Sequence, residues 1–303
     1  MERPLVSFII TCYNLPVHLL CECIDSILAL TMAPSEREII VVDDGSDVSP
    51  VNTLMKYGSS VVYIRQFHQG LSEARNAGIQ ASTAQYLQFV DGDDRLLSIP
   101  YGHCLSLLRS SRPEMVVFDL THTMPKGSGP YADITPKSGS HYMRHHNIHG
   151  SACGYVFSRS ILGNLRFTPG ICHEDEEFTP LLLLRAEHLV VTDAKAYLYQ
   201  QRPDSITTSS DIRHRLQRLN DAKGIIQRLH TAADRLPYKD RQALQRRVAQ
   251  LTMDYLYNII RLTRSRHYLK RKIQELRRLG LYPLPAKAYT AKYTLFRLLM
   301  FNV

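Results

Sequence analysis

Asp91-Gly92-Asp93-Asp94 places three carboxylates within four residues, directly after the apolar run Tyr86-Leu87-Gln88-Phe89-Val90. Like charges this close repel and raise one another's pKa values, so folding gains nothing from crowding them. A hard divalent cation removes the conflict, because it takes oxygen ligands and negative charge. A cation held there can grip a diphosphate. The other reading is a polar turn with solvated acids, and Asp-x-Asp alone does not decide between them. A second acidic turn, Asp43-Asp44-Gly45-Ser46, follows Glu38-Ile39-Ile40-Val41-Val42. A carboxylate only accepts hydrogen bonds, which suits it to a ligand N–H; the plain alternative is a turn with Gly at its strained position. A third cluster is Glu174-Asp175-Glu176-Glu177. Such a carboxylate can take the proton of an attacking hydroxyl. The four acids also suit the first turn of a helix over 175–186, where the macrodipole favours them.

These residues need elements that hold them at one edge. Val6-Ser7-Phe8-Ile9-Ile10 reads as a buried strand, and apolar spacing over 16–30 predicts a helix. Strands follow at 38–42, 61–64, 86–90 and 115–118. Helices are expected near 50–57, at 72–81 with Ser72 as N-cap, and at 100–114. Alternating strands and helices imply a mostly parallel sheet covered on both faces. Ligands of such sheets bind beyond the strands' C-terminal ends, where Asn14, Asp43, Asp44 and Asp91 all fall. Residues 121–150, rich in Gly, Pro, Ser and His, read as loop and edge strands. Their five histidines (His122, His141, His145, His146, His149) have no spacing that organises a metal site. From 211 the chain reads as helical over roughly 211–234, 239–279 and 286–301, punctuated by Pro237, Pro283 and Pro285.

Several motifs occur in a fixed order. They are Ser7-Phe8-Ile9-Ile10-Thr11-Cys12-Tyr13-Asn14, Val42-Asp43-Asp44-Gly45-Ser46, Gly70-Leu71-Ser72-Glu73-Ala74-Arg75-Asn76-Ala77-Gly78, Phe89-Val90-Asp91-Gly92-Asp93-Asp94, His173-Glu174-Asp175-Glu176-Glu177-Phe178 and Tyr199-Gln200-Gln201-Arg202-Pro203-Asp204-Ser205-Ile206. Over residues 4–206 the chain resembles a family 2 glycosyltransferase of bacterial surface-polysaccharide type. The resemblance implies the GT-A fold, a Rossmann-like α/β architecture, here with a helical C-terminal extension. It places a glycosyltransferase domain at 1–210, while the basic helical region at 211–303 lies outside the resemblance and is read from its helical pattern and charge.

The resemblance also assigns roles. Thr11, Tyr13 and Asn14 border the nucleobase of a nucleotide-sugar, and Asp43-Asp44 accepts the base's ring N–H. Gly70 allows close backbone approach, and Arg75 and Asn76 stand near the diphosphate or Asp91. Asp91 and Gly92 meet the ribose side, while Asp93, with Asp91, holds Mg²⁺ or Mn²⁺. Asp175 is the base that yields an inverted product, with Glu174 holding the acceptor; the expected helix, not the resemblance, makes Glu176 and Glu177 cap or surface acids. His173 flanks the donor or metal, and Arg202 and Ser205 belong to a loop over the diphosphate. Many relatives carry Gly where this chain has Asp204. They also carry Trp or Lys in the segment matching Ser151–Tyr155, whereas this chain has no Trp. Tyr155 is the aromatic there, either for stacking on the acceptor sugar or for the core.

Composition frames these readings. The 303 residues are 44% apolar, which is ordinary for a folded protein. No stretch approaches the roughly 20 apolar residues that span a bilayer, and the N-terminus lacks a signal peptide's pattern. Six scattered cysteines fit a reduced, cytoplasmic protein. The charge is split: residues 211–303 carry 21 Lys or Arg against 6 Asp or Glu, a net of +15, and the rest carry −6. Such a tail suits phosphate-bearing partners. An apolar helix over 286–303 beside the basic stretch fits peripheral contact with an anionic inner leaflet. The alternative is a helix packed on the body or on a second subunit in a homo-oligomer. No base-reading motif accompanies the charge, so nucleic acid is not expected.

The leading expectation is therefore an inverting, metal-dependent hexosyl- or N-acetylhexosaminyl-transferase. It would move a sugar from a UDP-sugar to a glycan or lipid-linked hydroxyl. The competing one is a GT-A module that binds nucleotide without turnover and recruits partners. A nucleotidyltransferase fits less well, because Thr11–Asn14 holds neither Gly nor Lys.

Overall fold

A computed structural model describes residues 3–125, 127, 129–201 and 212–300. In chain order the elements are β1 (Val6–Cys12), α1 (Val17–Leu28), β2 (Arg37–Asp43), α2 (Val51–Leu54), β3 (Val62–Arg65), α3 (Leu71–Ala81), β4 (Tyr86–Asp91), β5 (Arg95–Leu96), α4 (Ser98–Ser110), β6 (Met115–Thr121), β7 (Asp133–Ile134), α5 (Gly139–His145), β8 (Tyr155–Ser158), α6 (Arg159–Leu162), α7 (Asp175–Leu183), β9 (Leu189–Leu198), α8 (Ile212–Ala233), α9 (Tyr238–Thr263), α10 (Arg266–Arg278) and α11 (Ala291–Met300).

Two compact units interleave along the chain. The first comprises Met1–Gly139, Ser151–Gly170 and Arg185–Ser205. The second comprises Ser140–Gly150, Ile171–Leu184 and Ile206–Val303, so Glu174 and Asp175 belong with the C-terminal helices.

The first unit is built on a sheet in the order β3-β2-β1-β4-β8-β6-β9-β5, with β7 paired to β9. Strands β1 to β4 pair parallel, as the strand–helix alternation predicts. Beyond β4 the sheet is mixed: β8 runs antiparallel to both β4 and β6, and β6 and β9 are parallel. The α/β class and the C-terminal helices match the expectation. Strands β1 and β4 are buried on both faces, which is why they read as unbroken apolar runs. Helix α3 packs Ala74, Ala77 and Ala81 over Ile40, Val42 and Ile64. Gly78 lets it approach β1, since a Cβ there would lie 2.2 Å from Cγ2 of Ile9.

Two boundaries differ from the sequence reading. Helix α3 begins at Leu71 with Gly70 at its N-cap (φ 92°), and Ser72 is buried inside the first turn. Glycine reaches this positive φ without strain, so Gly70 rather than Ser72 takes the cap position and ends the preceding loop. The single helix expected over 239–279 is two, because Arg264 takes a left-handed conformation (φ 49°) and Ser265 caps α10 by accepting the N–H of Tyr268. In addition, α5 forms within the stretch expected to be loop and edge strands.

In the second unit, α9 buries Ala249 and Met253 against Leu284 and Tyr293. Helix α7 is tied to the other helices by ion pairs: both carboxylate oxygens of Glu177 accept from Arg228, at 2.7 and 2.8 Å. Glu176 pairs with Arg247, whose Nη1 also donates to the carbonyl of Ile148 at 2.9 Å. Glu176 and Glu177, expected as cap or surface acids, are anchors. Among the described residues, no helix is long and apolar enough to cross a membrane.

Candidate active site

Strand register brings the N-terminal motifs to one edge. Thr11 lies opposite Asp91, and Cys12 opposite Asp43, so β1, β2 and β4 end level. The turn after β4 is closed by the Asp94 N–H donating to the Asp91 carbonyl at 2.9 Å, and Gly92 N–H donates to the Thr11 carbonyl at 3.1 Å. A Cβ on Gly92 would lie 2.9 Å from the Thr11 oxygen and from Leu15, so the turn seats against β1 only with glycine.

The three acids of this turn diverge. Asp94 is buried and accepts from the Tyr197 hydroxyl and the Gln200 N–H, both at 2.7 Å. Burial, then the nearby charge of Asp91, push its carboxyl up to about 8. The same Tyr197 oxygen accepts the Asp91 N–H at 3.0 Å. Asp91 and Asp93 stay partly exposed. Asp91 Oδ1 accepts from Arg75 Nη2 at 3.0 Å, and the buried Arg75 guanidinium lies against the rings of Phe89 and Phe167, at 5.9 and 5.3 Å.

The second acidic turn is fully bonded within the protein. Asp43 accepts from the Ser46 N–H at 2.9 Å and the Tyr63 hydroxyl at 2.7 Å. Asp44 accepts from Gln66 Nε2 at 2.6 Å, the Gln69 N–H at 2.9 Å and the Gly70 N–H at 2.8 Å. His68 Nδ1 lies 2.8 Å from its Oδ2. Both carboxylates are buried. Asp44 therefore shapes the loop 66–70 that leads into α3.

The loop after β1 is pinned to the same turn. Asn14, at a left-handed φ of 46°, donates its N–H to Ser46 Oγ at 2.9 Å and exchanges two side-chain bonds with Asp47, at 3.0 and 2.8 Å. Tyr13 is half exposed and stacks on His68 with centroids 4.1 Å apart and planes 19° apart. Asn76 is taken up by backbone: its amide donates to and accepts from Phe167, both at 2.9 Å. Tyr155 lies in β8 at 2% exposure, against Phe157, and offers no ring face to a sugar. The Cys12 thiol is pushed up to about 12 by burial and then by Asp43 and Asp44, so it supplies no thiolate.

In the second unit, Glu174 is the buried N-cap residue of α7 and Asp175 its partly exposed first residue. Asp175 Oδ1 accepts the Glu176 N–H at 2.9 Å. His173 is exposed at a left-handed φ of 62° and accepts the Glu176 N–H on its carbonyl at 3.0 Å. Arg202 and Ser205 lie outside the described residues.

Among the described residues, no group of three or more His, Cys, Asp or Glu is arranged to hold a metal ion. Asp91 and Asp93 offer a two-carboxylate, all-oxygen set. That fits a Mg²⁺-type ion, which keeps waters and takes one or two carboxylates plus substrate phosphates. Sequence reasoning missed Tyr197, Tyr63, Ser46 and His68. Tyr197 is 103 residues from Asp94 in the chain, and no local spacing marks it.

The family model described as Glycosyl transferase family 2 matches residues 7–162, half of the chain. The chain belongs to this family. The uncharacterized glycosyltransferase EpsJ of Bacillus subtilis (strain 168) is 30% identical over 220 residues, 67% of this chain and 63% of that protein. The minor teichoic acid biosynthesis protein GgaB of the same organism is 24% identical over 208 residues, 65% of this chain but 23% of its own length. The chain thus spans less than two thirds of these relatives. Among solved structures, S. aureus TarS 1-349 in complex with UDP-GlcNAc has a TM-score of 0.67 at 16% identity, covering 91% of this chain and 78% of that one. The Pyrobaculum calidifontis mannosyltransferase PcManGT, in complex with GDP-Man and Mn²⁺, has a TM-score of 0.59 at 14% identity, over 98% of this chain and 85% of that one. The family's fold is therefore the fold of this chain.

Proposed function

We propose that the protein is an inverting glycosyltransferase that moves a sugar from a nucleotide-sugar, UDP-linked, to a hydroxyl of a glycan or lipid-linked acceptor in cell-surface polysaccharide synthesis. The observation that carries this reading is the level ending of β1, β2 and β4, where Asp91 and Asp93 keep solvent access while Asp43, Asp44 and Asp94 are buried. Family membership and the UDP-GlcNAc and teichoic acid associations of the relatives support the donor and pathway class.

A Mg²⁺ or Mn²⁺ ion held by Asp93 with Asp91 would neutralise charge on the departing nucleoside diphosphate. The protein's own groups prepare that site. Arg75 orients Asp91 from a buried position, and Tyr197 holds the turn from behind. Tyr13 and His68 offer a flat, half-exposed ring surface on the nucleobase side. Asp175 takes the proton of the acceptor hydroxyl as its oxygen bonds to the anomeric carbon. The bond from that carbon to the phosphate oxygen breaks on the opposite face, which inverts the anomer. Glu174 remains the proposed acceptor-holding acid.

A panel of nucleotide-sugars is incubated with the protein and Mn²⁺, and nucleoside diphosphate release is measured. Release with a UDP-sugar, lost in Asp93→Ala and Asp175→Asn, is expected. Nucleotide binding without turnover on any donor would instead identify a binding module.

A further inference from the structure

Among the described residues, helix α11 packs one of its faces. Tyr293 is buried and Phe296 partly so against Ala249 and Met253 of α9, and Met300 is also buried. The opposite face is not polar, as an amphipathic surface helix requires. It presents Leu295, Leu298 and Leu299, at 61%, 58% and 68% exposure. These three stand at i, i+3 and i+4 and form one ridge.

Cations flank this ridge. Lys292, one turn before Leu295, is exposed and lies 5.5 Å over the half-exposed ring of Tyr257. Asp254 offsets it at 3.7 Å. At the other end the Tyr282 hydroxyl donates to the Met300 carbonyl, and exposed Arg277 sits 5.3 Å over that tyrosine ring. Residues 261–300 hold 11 Lys or Arg and one acid, Glu275, which is already paired with Lys272 and Lys223.

We infer that the outer face of α11 is a peripheral docking surface for an anionic lipid bilayer. The leucine ridge enters the headgroup boundary, and the flanking cations meet lipid phosphates. Charge chooses between occupants. A second copy would bring the same basic segment against this one, and like charges across an interface repel. A nucleic acid would use the cations but has no place for three adjoining leucines. The inference is independent of the transfer chemistry, so it stands or fails separately from the proposed activity.

The full chain is floated with vesicles of phosphatidylcholine alone and of phosphatidylcholine with one third phosphatidylglycerol, at low and high salt. Binding only to the anionic vesicles, weakened by salt, is expected. The Leu295→Ser/Leu298→Ser/Leu299→Ser variant should bind at least about tenfold more weakly, and Lys292→Ala about fivefold. Circular dichroism establishes that each variant is folded. The inference is overturned by equal binding to neutral vesicles, by no binding to either, or by a folded triple variant that binds as the parent does. It is overturned too if light scattering shows a dimer that the leucine substitutions dissolve.

Discussion

The Tyr197 hydroxyl donates to Asp94 Oδ2 at 2.7 Å while accepting the Asp91 N–H at 3.0 Å. One phenol thereby clamps both ends of the acidic turn that follows β4. Tyr197→Phe removes both bonds and leaves the buried Asp94 with the Gln200 N–H as its described donor. Losing a partner of a buried polar group costs about 1–3 kcal/mol. The expected outcome is a lower melting temperature and a higher Mn²⁺ concentration for half-maximal donor turnover, measured by metal titration.

Much of this turn is readable in the sequence, and its clamp is not. An unbroken apolar run followed by acids is a local pattern, so β4 and the turn can be placed from the residues of that run alone. The same holds for β1, β2 and their strand ends. Tyr197 arrives from β9, and nothing near position 197 signals a partner at 94. The family resemblance assigns Asp91 and Asp93 but gives no sign that Asp94 is different; burial sets Asp94 apart, and burial is a property of the packed sheet. The break between α9 and α10 is hidden for a different reason. Arg264 and Ser265 sit within a continuous helical pattern of apolar residues, and neither Gly nor Pro marks the stop.

Asp44 is bonded to three donors from Gln66, Gln69 and Gly70. Asp44→Asn would set an NH₂ group against N–H donors and should cost about 2–3 kcal/mol. Thermal unfolding with and without UDP checks this. An unchanged melting temperature with weakened UDP binding would assign Asp44 to the base alone.

Gly78 leaves Ile9 the space that a side chain would fill, since a Cβ at position 78 would come within 2.2 Å of Ile9 Cγ2. Gly78→Ala should push α3 away from β1 and destabilise by about 1–3 kcal/mol. Because α3 also carries Arg75, donor turnover should fall along with stability. Denaturant unfolding and steady-state turnover, measured on the same samples, test the two effects together.

Arg247 is buried between Glu176 and the Ile148 carbonyl. Arg247→Ala leaves a partly buried carboxylate without this cation and should destabilise by about 3 kcal/mol. Arg228→Ala removes the two-bond partner of the buried Glu177 carboxylate, but the Arg228 side chain is 42% exposed, so water can take its place and the cost should be smaller, about 1–2 kcal/mol. Urea unfolding of the two variants, compared side by side, reads the difference.

The proposed division of labour within Asp91-Gly92-Asp93-Asp94 is tested most directly by Mn²⁺-dependent nucleoside diphosphate release in Asp93→Ala. The partly exposed Asp93 should be removable without unfolding the protein, while turnover falls by roughly 10²-fold or more and chelator abolishes what the parent shows. Full turnover in a folded Asp93→Ala protein, or parent turnover indifferent to chelator, would contradict it.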